Sequence, residues 1–128
     1  MADPAQARCV VELMILTAWA DGELVGAETA LVQELIGRLP LLRGVGSLRE
    51  MGGAAKERLD RLGFEACVRE AAESILDDEH RQLAYRCCAR VMGADGKLQV
   101  EEHVLLRWLQ DLFGFTPEDV ERLLIVGL

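Results

Sequence analysis

The sequence predicts an all-α domain of about seven helices, and three observations carry that expectation. Residues are 51% hydrophobic but only 5% aromatic, so the core must be built mainly from Leu, Val, Ile and Ala rather than from the side chains that favour a pleated sheet. Apolar positions recur at helical spacing between short Gly, Asp-Gly and Pro interruptions. One segment, Ala-Asp-Gly-x-Leu-x-x-x-Glu, occurs twice, at Ala20–Glu28 and Ala94–Glu102, which marks an internally duplicated helix-turn-helix unit.

The first helix is expected over Pro4–Ala20, apolar nearly all round through Val10, Val11, Leu13, Met14, Ile15, Leu16 and Trp19, and stopped by Asp21-Gly22. A second begins at Gly26 or Ala27, places Leu31, Leu35 and Leu39 on one stripe, and ends before Pro40. Five glycines and one proline between Gly37 and Gly53 predict a loosely ordered connection, with one short helix at Ser47–Met51. Ala54–Leu62 and Phe64–Leu76 read as two helices parted at Gly63. Asp77 or Asp78 caps the next, Glu79–Gly93, whose inner face is Leu83, Ala84, Cys87, Cys88 and Val91. Leu105, Trp108, Leu109 and Leu112 then form a stripe that ends at Gly114. Thr116-Pro117-Glu118-Asp119 supplies a cap, a first-position proline and two first-turn acids for the last helix, Pro117–Val126. Residues 1–128 thus form one domain, with repeat one at about 4–39, a Gly-rich connection at 40–53 and repeat two at about 64–126.

Acidic side chains number 22 against 14 basic, a formal charge of −8, and no basic stripe is interleaved with aromatics. Such a surface repels phosphate backbones and anionic lipid, so nucleic acid is not an expected partner and cations or basic proteins are. The apolar run Val10–Ala20 is too short to span a bilayer and is interrupted by Glu12. Cys9, Cys67, Cys87 and Cys88 lack metal or redox spacing and read as small buried hydrophobes in a reducing, cytoplasmic setting.

Aligned at an offset of 74, the two copies agree at seven of the sixteen positions from Ala20 to Leu35, where average composition would give about one. Each copy sets an Asp at a helix carboxyl end and a Glu in the first turn of the following helix, so the turn gathers two acids. Turn chemistry alone accounts for much of this: first-turn Glu suits the helix dipole, and Asp tolerates turn conformations. Asp21 and Asp95, however, sit where the dipole and the last carbonyls already concentrate negative potential, which a cation would relieve. Carboxylates and carbonyls without a correctly spaced His or Cys favour a hard divalent ion such as Ca²⁺ or Mg²⁺. An EF-hand does not fit, because Thr17 and Trp19 in one copy, and Val91 and Gly93 in the other, occupy its first two ligand positions. Glu12, alone in an apolar helix, needs either a metal or a cation, and its counterpart across the repeat is Arg86.

The paired Ala-Asp-Gly-x-Leu-x-x-x-Glu motif, each copy opening an amphipathic helix, resembles the tellurite-resistance protein B (TerB-like) family, a domain also found at the start of membrane-anchored DnaJ-type co-chaperones. That resemblance implies a duplicated bundle of about seven helices, a role in bacterial tellurite and stress responses, and divalent-metal binding through Asp21, Glu28, Asp95 and Glu102. The chain departs from related sequences at Val25-Gly26 and Gln99-Val100, where a Ser-Pro-like cap is usual. The expected function is therefore a non-catalytic, cytoplasmic metal-binding or metal-sensing module, acting with other proteins of a stress response and without an organic cofactor. The alternatives are a protein-protein scaffold or co-chaperone-like module whose acids are only structural, and a hydrolase using paired carboxylates or Cys87 or Cys88 with His80 or His103. No nucleophile motif, phosphate loop or metal-ligand His pair supports the last.

Overall fold

Helix α1, Pro4–Ala18, is the axis around which the rest is assembled in this computed structural model. The structure describes residues 4–18, 26–42, 45–46, 48–92 and 100–126, with the side chains at 4, 26–28, 100–103 and 126 outside that description. A helix apolar on all faces has no side to give to water, and Val10, Val11, Met14 and Leu16 are all fully buried. Helices α2 (Gly26–Arg38), α3 (Leu48–Leu62), α4 (Phe64–Glu73) and α5 (Asp78–Met92) all pack on it, as does a 3-10 turn at Pro40–Leu42. Helix α6 (Val100–Phe113) lies on α4 and α5, and α7 (Pro117–Val126) on α5. Seven α-helices and no strand occur among the described residues.

The glycine-rich connection is shorter than its composition predicts, because α3 runs unbroken through Gly52 and Gly53. Leu48, Met51, Ala55 and Leu59 fall on one stripe against the core, and that burial outweighs about 1 kcal/mol per helical glycine. Helix α4 ends earlier than periodicity predicts. The Ser74 hydroxyl bonds back to the Glu70 carbonyl at 2.8 Å, and Gln6 Oε1 of α1 accepts from the Leu76 and Asp77 amides at 2.8 and 3.0 Å. These bonds turn the chain out of α4 while Ile75 remains fully buried.

Freed in this way, Asp77 caps α5: its Oδ1 accepts from the His80 amide at 2.9 Å and its Oδ2 lies 2.6 Å from His80 Nδ1. The His80 amide bond, foremost, and the imidazole hold the Asp77 carboxyl below its ordinary range. Replacing Asp77 with Ala is expected to cost about 1 kcal/mol near neutral pH, a typical helix-cap value. Because the folded-state pKa is depressed, this contribution is complete above the unfolded carboxylate range and disappears as pH falls through the lower folded value. Urea midpoints of both proteins at pH 7 and pH 2.5 check it: a gap that fails to narrow in acid contradicts the assignment. At the other end of the chain, Thr116 and Asp119 exchange side-chain-to-amide bonds at 3.0 and 3.1 Å, a reciprocal cap for α7. Gly114, at φ +72°, closes α6 in the left-handed conformation and lets the Phe115 amide reach the Gln110 carbonyl at 3.0 Å.

Candidate functional site

The duplication is visible in the helices themselves. Shifting α1 by the motif offset of 74 reproduces the bounds of α5, and the same shift carries the start of α2 onto that of α6. Glu28 and Glu102 fall third in α2 and α6, in their first turns as expected, although neither side chain is among those described. Asp21 and Asp95 lie outside the described residues, within 19–25 and 93–99, the connections from α1 to α2 and from α5 to α6.

What the described residues establish is the direction of the two helices that deliver those connections. Near the start of α1, Gln6 bonds the amides that immediately precede α5. Near its end, the buried Thr17 hydroxyl donates to the Leu13 carbonyl at 2.7 Å and lies against the Cys88 thiol in the last turns of α5. Like ends therefore meet like ends. The helices α1 and α5 run parallel, and the carboxyl termini Ala18 and Met92 emerge at the same end of the pair. Parallel helix ends add their unfavourable potentials for an anion, since both sets of terminal carbonyls face the same way.

A second charged cluster, absent from the sequence expectation, joins α1, α3 and α4. Arg58 of α3 donates through Nη1 to Glu12 Oε1 and through Nη2 to Glu70 Oε1 at 2.7 Å. The partner of Glu12 is thus Arg58, not Arg86, whose Nε is buried without a hydrogen-bond partner among the described residues. The offset argument failed here because it relates α1 to α5, whereas the face of α1 carrying Glu12 is turned toward α3 and α4. Burial raises the Glu12 carboxyl above its ordinary value, and the charge and hydrogen bond of Arg58 only partly reverse that. Burial also works against the charge on Arg58, but its two carboxylates outweigh it. It is Glu12, then, whose charge is costly. Arg8, Glu50 and Met51 border a cleft of about 270 Å³ over this pair.

Three of the four cysteines are poor nucleophiles in this setting. Cys67, Cys87 and Cys88 are fully buried free thiols, with the Cys87 thiol pushed up by burial and that of Cys88 to about 12. His80 is held by Asp77, its Nε2 buried without a partner among the described residues, and the His103 side chain lies outside them. Among the described residues no three His, Cys, Asp or Glu side chains are grouped to hold a metal, a set that does not include the side chains of Asp21, Glu28, Asp95 or Glu102. None of the described helices is long and apolar enough to cross a membrane. Comparison of the chain with protein-family models, with curated proteins and with solved structures finds no match.

Proposed function

We propose that this domain is a non-catalytic, metal-responsive module that takes a divalent, oxygen-preferring cation through Asp21, Glu28, Asp95 and Glu102 and serves a bacterial stress response of the TerB-like kind from the cytoplasm. The reading is supported above all by the parallel course of α1 and α5, because the carboxyl ends of both helices, which the two Asp-Gly segments follow in sequence, lie at one end of the pair. The donor chemistry fits: four carboxylates without sulfur or imidazole suit Ca²⁺ or Mg²⁺, and a cation would also offset the negative potential of two helix carboxyl ends. Metal loading would thereby alter the charge and rigidity of that end, a change that a partner protein can read.

Calorimetry with Ca²⁺, Mg²⁺, Mn²⁺ and Zn²⁺ on the wild type and on an Asp21→Asn/Asp95→Asn double variant tests the reading. The expected result is binding of a hard cation by the wild type and a loss of about tenfold or more in the variant. Absence of binding, or equal binding by both proteins, removes it. The scaffold alternative draws on α7, where Leu124 and Ile125 are 51% and 77% exposed. It requires self-association or partner capture that survives the double Asn substitution and is lost in Leu124→Glu/Ile125→Glu.

A further inference from the structure

Between α1, α2 and α3 lies a half-open apolar groove of about 390 Å³, which shares no lining residue with the cleft over Glu12 and Arg58. Ile15 and Ala18 of α1, Val32 of α2 and Leu48 of α3 form its floor. Its wall is a second stripe of α3, Arg49, Gly52, Gly53 and Lys56, spaced i, i+3, i+4, i+7 beside the stripe that packs on the core. Two cations about 10 Å apart along the helix axis therefore bracket a stretch of bare backbone.

The fold gives no reason for the two glycines. Among the described residues a Cβ at Gly52 or Gly53 would meet nothing within 4 Å, and neither glycine has the positive φ that would exclude other residues. Mid-helix glycines are unfavourable relative to Ala, so the open wall is retained at the expense of helix stability. Open space over helical backbone admits close approach by something other than this chain's own core.

We propose that the groove binds a medium-chain anionic amphiphile, with the alkyl chain on the Ile15, Val32 and Leu48 floor and the acid head between Arg49 and Lys56. Size and charge select this occupant. At roughly 30 Å³ per heavy atom, the share of one water in the liquid, about 390 Å³ seats about a dozen heavy atoms, a small molecule's volume. Lys56 and Arg49 are exposed and flexible enough for both heads to converge on one anion. The rim's two cations oppose the net charge of −8 of the chain, so the groove favours an acid group over a neutral or cationic one.

Decanoate is the probe, with decanol and decyltrimethylammonium as comparisons, measured by calorimetry and by methyl NMR shifts of Ile15, Val32 and Leu48. The wild type is expected to bind decanoate best of the three and to shift those methyls. Gly52→Leu fills the wall and is expected to weaken decanoate by about tenfold or more, while Arg49→Glu/Lys56→Glu weakens decanoate similarly and leaves decanol nearly unchanged. Gly52→Ala/Gly53→Ala is expected to raise Tm, which shows that loss of binding at this wall is not loss of folding. No decanoate binding by the wild type, equal affinity for decyltrimethylammonium, or an affinity untouched by Gly52→Leu overturns the proposal. Concentration-dependent dimerisation that Gly52→Leu abolishes, without decanoate binding, overturns it in favour of a second copy in the groove.

Discussion

Replacing Arg58 with Met is expected to destabilise the domain by about 2–3 kcal/mol at pH 7, somewhat less than the 3–5 typical of breaking a fully buried ion pair. Glu12 is 14% exposed and would lose the cation that offsets its desolvation, whereas Arg58 and Glu70, at 26% and 58%, retain access to water. The deficit should depend on pH in a definite direction. The folded-state pKa of Glu12 is raised by burial, so stability is complete below the unfolded carboxylate range and is lost as pH rises through the folded value. Removing Arg58 deletes the two influences that lower that pKa, so the penalty begins at the same acid limit but extends to higher pH. Urea midpoints of wild type and Arg58→Met should therefore lie closer together at pH 4 than at pH 7. Glu12→Gln/Arg58→Met should recover part of the loss at neutral pH, because no charge is then stranded. Equal stability of Arg58→Met and wild type at pH 7 would mean that solvent already screens the pair.

The Glu12 cluster also shows where sequence reasoning stops. That a lone acid in Val-Val-Glu-Leu-Met needs a partner follows from desolvation alone, but the partner comes from α3, 46 positions away, across a contact no local period encodes. Gly52 and Gly53 misled for a related reason: propensity is local, and the stripe of Leu48, Met51, Ala55 and Leu59 gains its weight only from the core it meets. Caps were legible because their chemistry is local, as at Asp77 and at Thr116 with Asp119. The candidate metal ligands were legible as a repeated pattern, and Glu28 and Glu102 do open α2 and α6. The common direction of α1 and α5 was not legible in this way, because it shows in the contacts of Gln6 and Thr17 with residues about seventy positions away in sequence.

Leu16→Ala is expected to cost about 3–4 kcal/mol, within the range for a large apolar side chain deleted from a fully buried site. For a domain of this size that lowers Tm by roughly 10 °C or more. The repeat supplies its own control. At the offset of 74 the counterpart of Leu16 is Arg90, exposed in the last turn of α5, and Arg90→Ala should change stability by no more than about 0.5 kcal/mol. At several other positions the two helices keep matched burial: Val10 with Ala84, Leu13 with Cys87 and Met14 with Cys88 are all buried. The duplicated unit has thus diverged on the face where α1 became the enclosed axis and α5 kept a side toward solvent. If denaturant midpoints placed Leu16→Ala and Arg90→Ala together, the helices would be equivalent and α1 would not be the axis. If they separate as expected, α1 is the element whose burial holds the bundle together, and α5 packs on it as the half-exposed copy.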